Sequence, residues 1–179
     1  MKRITGLILT FSLILCCLVS CGEYDKNELI EAVRELSPKA FELYAVIYGD
    51  ALERSAVEEA NGYYLVTDGR YQSVAELKAA MNEVFSESYI KVISNTAFDG
   101  VSSDEGAISA KFLEVGGKLY VNPEVTADFG EPRRFDTDNI KVVKQNRFKA
   151  KVAVKCGDDE LEVTLQKSDG KWKLDSSMY

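Results

Sequence analysis

The sequence predicts an α+β fold in which N-terminal helices pack on one side of a curved antiparallel sheet. Two observations lead there: apolar residues between 25 and 93 recur at helical spacing, and those from 107 onward alternate with period two. Helices first and strands after, with no internal repeat and no low-complexity tail, point to a single domain over residues 25–179. Removing a leader at 1–20 leaves 159 residues, a length that buries roughly two thirds of its unfolded surface around one core.

Taking the elements in order, Asp25 is a helix cap ahead of Leu29, Val33 and Leu36. Ser37-Pro38 reads as a second cap with proline at the first helical position. It opens a longer helix that runs to about Ala60 and closes on Asn61-Gly62. That second helix is apolar on most sides over Ala40 to Tyr48, so it is expected in the concavity of the sheet. Tyr63-Tyr64-Leu65-Val66 is a short extended segment and Asp68-Gly69 a turn. Ser73-Val74-Ala75-Glu76 is a capping box in which hydroxyl and carboxylate satisfy backbone donors at a helix start. A further helical piece runs from Glu87 through Ile93, and 95–106, rich in Ser, Asp, Gly and Asn, reads as an exposed loop.

Residues 111–115 and 118–121 form a hairpin about Gly116-Gly117, a pair that supplies the positive φ of a tight turn. A second long loop follows from Asn122 to Asp138, stiffened by Pro123 and Pro132. Three closing strands carry Phe148, Ala150, Val152, Val154 and Cys156, then Leu161, Val163 and Leu165, then Trp172 and Leu174, on the buried face. Lys149, Lys151 and Lys155 point the other way, where Glu162 can pair with them.

Met1 is followed by Lys2-Arg3, a 16-residue uncharged run from Ile4 to Val19, and Ser20-Cys21. That run is short of the roughly 20 residues needed to span a bilayer, and its flanks are those of a secretory signal. Its small-residue end on cysteine resembles the bacterial lipoprotein signal. The resemblance implies cleavage after 20, a lipid anchor (palmitate among its acyl chains) on Cys21, a tether at 21–24, and residence on the extracytoplasmic face of the cell membrane. Two acyl chains hold a protein there stably.

Twenty basic and 29 acidic residues remain after the leader, a net charge of −9 that argues against nucleic acid as a partner. The charge is uneven: 22–138 holds 11 basic and 23 acidic residues, 139–179 holds 9 and 6. Cys16 and Cys17 leave with the signal and Cys21 is acylated, so Cys156 stands alone as a small buried hydrophobe. The chain has no histidine. That removes Ser-His-Asp and Cys-His nucleophiles and the commonest zinc ligand, so no enzyme activity, metal or cofactor is expected.

Three acidic clusters are candidates for a site: Asp99 with Asp104 and Glu105, Asp136 with Asp138, and Asp158-Asp159-Glu160. None has calcium-loop spacing, and the last is a hairpin turn. A glycosidase-type carboxylate pair needs no histidine, but sequence alone places no two of these acids across a cleft.

Tyr63-Tyr64-Leu65-Val66, Gly69-Arg70-Tyr71, Ser73 to Leu77, Phe85, Tyr89, Phe112 to Tyr120 and Gly170-Lys171-Trp172 together resemble the IseA-type family of bacterial DL-endopeptidase inhibitors over most of 38–176. The glycine-lysine hairpins also occur in cone-shaped folds resembling nuclear transport factor. The resemblance implies a cystatin-like sheet and helix that binds the catalytic domain of a cell-wall hydrolase and blocks it. It implicates the loop after the Leu119-Tyr120 strand, which in the family carries a glycine-flanked acidic tip. Here Pro123 and Glu124 begin that loop without flanking glycines, and Asp128, Phe129 and Gly130 are the alternative tip, with Phe129 as a buried anchor. Asp99, Asp104 and Glu105 form the second candidate loop. Two other readings are carried forward: a small-ligand module with a pocket lined by Tyr44, Tyr48, Tyr64 and Trp172, and an interaction subunit of an envelope complex.

Overall fold

The structure, a computed structural model, describes residues 25–102, 108–126 and 135–178. Asp25 caps the first helix as expected, its carboxylate accepting the Asn27 N–H at 2.8 Å. That helix, α1, runs unbroken over Lys26–Ile47 with Pro38 inside it. The expected break at Ser37-Pro38 is absent because the buried face is continuous across it, from Leu29 and Val33 through Ala40 and Tyr44 to Ile47. Pro38 itself faces solvent, where water can reach the carbonyl it fails to satisfy, and the Ser37 hydroxyl donates to the Val33 carbonyl at 2.6 Å. Proline still burdens the helix. Pro38→Ala is expected to raise stability by about 2 kcal/mol, the interior penalty less the entropy regained by the unfolded chain; a denaturation midpoint no higher than the parent's would contradict it.

The helix also stops earlier than its composition suggests. Residues Arg54–Ala60 form strand β1, paired antiparallel with β2, Tyr63–Val66. Asn61-Gly62 is therefore a hairpin turn, with φ of 52° and 80°, and not a helix cap. Helices α2 (Val74–Val84) and α3 (Glu87–Ser94) follow. The Ser73 hydroxyl accepts the Glu76 N–H at 3.2 Å, while the Glu76 carboxylate takes the Gln72 N–H at 2.6 Å, one residue before the expected donor. A single π-turn, Asn95–Asp99, and a short pair β3 (Val101–Ser102) and β4 (Ile108–Ser109) occupy part of the expected loop.

Strands β5 (Phe112–Val115) and β6 (Lys118–Val121) form the predicted hairpin, with Gly116 at φ 60° and Gly117 at 73°. Then the sheet divides. β1, β2, β6 and β5 make one four-stranded sheet in that order, while β10 (Lys171–Leu174), β9 (Asp159–Ser168), β8 (Lys149–Cys156) and β7 (Phe135–Gln145) make another. β7 replaces the end of the expected second loop. Asp136, whose carboxylate accepts the Asp138 N–H at 3.0 Å, braces an irregularity in that strand.

Helix α1 lies on the second sheet against β7 and β10, with Arg34 Nε donating to the Thr137 carbonyl at 2.9 Å. One apolar cluster runs from α1 and α2 to both sheets. Val152, Val154, Val163, Leu165 and Leu174 are inside it as their alternation requires, but Phe148 is 62% exposed. It sits in the β7–β8 turn, ahead of the strand, where alternation no longer governs it. Lys151 pairs with Glu162 at 2.9 Å across the outer face. The observed class is α+β, with helices on antiparallel sheet.

Candidate partner-binding surface

Lys111 stands at the entrance to β5 and organises the surface around it. Its side chain is wholly buried, and the ammonium donates to the Gly49 carbonyl at 2.6 Å, just past the end of α1. Its backbone N–H donates to the Thr96 carbonyl at 3.0 Å and its own carbonyl accepts the Asn122 N–H at 2.9 Å. One position earlier, the Ala110 carbonyl accepts the Tyr63 hydroxyl at 2.7 Å. One lysine thus joins the helix end, the π-turn and the start of the loop after β6. Gly49 is required in this joint, since a Cβ there would lie 2.6 Å from the Ala45 carbonyl oxygen. Burial pushes the ammonium of Lys111 down to about 8, with Asp50 acting in the opposite sense.

The loop after β6 starts rigidly. Asn122 is buried, its side-chain oxygen accepts the Glu124 N–H at 3.0 Å, and its carbonyl accepts the Val125 N–H at 3.3 Å. This Asx turn presents Glu124 to solvent, and Pro123 before it is half-buried. Gly62 of the β1–β2 turn comes close on the other side, its Cβ direction 3.3 Å from the Asn122 amide nitrogen. At the π-turn, Phe98 packs on Phe112 at 6.2 Å between centroids under the Lys78 ammonium at 4.8 Å, and Asp99 is exposed.

The structure therefore ties the bases of both candidate loops to one residue. Of the predicted site residues, Pro123, Glu124 and Asp99 are placed; Cys21, Asp104, Glu105, Asp128, Phe129 and Gly130 lie outside the described residues. Lys111 was not anticipated. Alternation along 111–115 puts it on the face opposite Phe112, the solvent side, and no local motif marks a lysine that turns inward.

The aromatic residues assigned to a ligand pocket do not converge. Tyr44 stacks on Tyr48 at 6.0 Å and tilts against Phe85 at 5.4 Å, and its hydroxyl donates to that of Tyr89 at 3.2 Å. Burial raises the Tyr44 and Tyr48 hydroxyls well above the usual phenol range. Tyr64 lies instead under the Arg54 guanidinium at 5.4 Å, and Trp172 under the Lys167 ammonium at 5.3 Å. Two surface grooves flank Trp172, of about 360 and 370 Å³, and another of about 590 Å³ lies along Leu52 to Ala56. Among the described residues no three His, Cys, Asp or Glu side chains are grouped to hold a metal, and no helix is long and apolar enough to cross a membrane. No protein family, curated protein or solved structure compared with this chain matches it.

Proposed function

We propose that this chain is a lipid-anchored extracytoplasmic domain, without catalytic activity of its own, that binds and blocks a peptidoglycan DL-endopeptidase. The observation that carries the reading is the braced turn at Asn122, which holds an exposed carboxylate, Glu124, at the root of the loop singled out by the family resemblance. Preorganisation of this kind lowers the ordering cost of binding. The packing of Tyr44 and Tyr48 into the core supports a protein partner over a small ligand held between helix and sheet. Charge supports the class of partner. A hydrolase that works on an anionic polymer needs a basic cleft, and the acidic 22–138 region would be steered toward it at low salt.

The test is inhibition of a purified DL-endopeptidase catalytic domain by the full acylated chain in detergent. Glu124→Lys is expected to weaken inhibition by about tenfold, since like charges set against each other at an interface cost kilocalories. Raising the salt should slow association more than it speeds dissociation. No inhibition by the parent chain ends the proposal. Inhibition indifferent to Glu124→Lys moves the contact to another surface, starting with Asp99 on the neighbouring π-turn.

A further inference from the structure

The β7–β8 turn displays Phe148 by construction. The Asn146 side-chain oxygen accepts the N–H groups of Phe148 and Lys149 at 2.9 and 2.8 Å, and the Phe148 carbonyl accepts the Lys167 N–H at 2.7 Å. The backbone is thus fixed on both sides of a phenylalanine that stays 62% exposed. The Arg147 guanidinium lies 5.5 Å from its ring. A lone exposed aromatic is ordinary on a protein surface; the place of this one is what matters. Phe148 and Arg147 line the same groove as Asp25, the first residue of the described chain, together with Trp172 and Gly170 of the β9–β10 hairpin.

We propose that this pole, made of the start of α1 and the β7–β8 and β9–β10 turns, is the face that rests on the membrane, with Phe148 and Arg147 at the phospholipid headgroups. The inference rests on acylation of Cys21 and goes beyond it, because the anchor alone does not orient the domain. Three residues, 22–24, separate the acylated cysteine from Asp25, a span of four residue steps. Fully extended, they reach at most about 14 Å, so the groove containing Asp25 is held near the bilayer surface whichever way the domain turns. An exposed aromatic beside an arginine is the pairing that settles at that depth. Lys26, Lys144 and Arg147 make no ion pair among the described residues, which leaves them for anionic headgroups. Two of the acids at this pole are engaged, since Asp25 caps α1 and Glu28 pairs with Lys167 at 2.6 Å, while Asp169 stays exposed in the β9–β10 turn. The loops anchored by Lys111 rise from the other sheet, so the orientation would leave them to a partner.

The acylated full chain is reconstituted into vesicles of phosphatidylcholine and phosphatidylglycerol, with or without brominated acyl chains, and tryptophan emission is compared for Phe148→Trp and Val57→Trp. Val57 is 70% exposed on β1 of the other sheet, and the parent chain supplies the Trp172 background. Phe148→Trp should lose roughly half its added emission in brominated vesicles, as expected for a ring 5–10 Å into the headgroup boundary, with Val57→Trp unchanged. Equal quenching of the two variants overturns the contact while leaving the anchor intact. A mass for the N-terminal peptide that lacks the lipid, with no flotation of the chain, removes anchor and contact together.

Discussion

Lys111→Ala is expected to destabilise the fold by about 3 kcal/mol and to abolish a rise in stability on the alkaline side of neutrality. The substitution orphans the Gly49 carbonyl at the end of α1, worth about 1–3 kcal/mol, and empties the space of a fully buried four-carbon stem, which adds a cavity cost. Relief of the buried ammonium's desolvation offsets part of both. The pH argument has a definite sign. Unfolded, Lys111 titrates at its ordinary value; folded, burial lowers that to about 8. Between the two the unfolded chain binds more protons, so stability rises with pH across that window. The buried hydroxyls of Tyr44 and Tyr48 act oppositely, because the unfolded phenols ionise from about pH 10 while the folded ones resist. Denaturation midpoints should therefore climb from pH 8 toward 10 and then fall. Lys111→Met keeps the volume and flattens the climb. A parent profile already flat from pH 8 to 10 would show the ammonium to be better solvated than its burial implies.

The same lysine marks where the sequence stops being legible. Short-range chemistry could be read wherever a residue answers to its immediate neighbours: Asp25 and Ser73 cap the helices they precede, Gly116-Gly117 turns its hairpin, and Val152, Val154, Val163 and Leu165 face inward. Failures came where a distant partner decides. Pro38 is tolerated because a buried stripe on either side outweighs one lost hydrogen bond. Asn61-Gly62 serves a helix end and a hairpin equally well, and the choice is made by pairing of β1 with β2. β1 has no buried residue among 54–59, and β7 has only Ile140, so neither strand shows the period that would have announced it. Of the candidate site, Glu124 and Asp99 were visible as acids in polar stretches. Their common support at Lys111 was not, since it arises from contacts between residues 49, 96, 111 and 122.

Arg70→Ala is expected to cost about 2–3 kcal/mol, nearly as much as the loss of Lys111, for the mirror-image reason that it strands a buried anion. Asp68 is 6% exposed and accepts from Arg70 through its backbone N–H at 2.9 Å, Nε at 3.0 Å and a terminal nitrogen at 2.7 Å, with the Glu53 N–H at 3.3 Å. Arg70 also reaches the Ala51 carbonyl at 2.6 Å and Glu42 on α1 at 3.2 Å. It therefore binds the α1–β1 connection to the loop before α2. Breaking a buried pair from one side commonly costs 3–5 kcal/mol, and the estimate is lowered here because the arginine is 41% exposed. Hydrogen bonds from Arg70 hold the Asp68 carboxyl well below the usual carboxylate range. The stability this confers is present above the unfolded value near pH 4 and is lost as pH falls through the lower folded value. Arg70→Ala should shrink that acid-side loss without erasing it, since Asp136 and Asp175 are also held low. Arg70→Lys keeps the charge but not the fork, and should fall between parent and alanine variant. Adding Asp68→Asn to Arg70→Ala should recover part of the deficit by removing the stranded charge. A double variant as unstable as the sum of the singles would instead mean that Arg70 acts through Ala51 and Glu42, and amide exchange in β1 would then respond to Arg70→Ala alone.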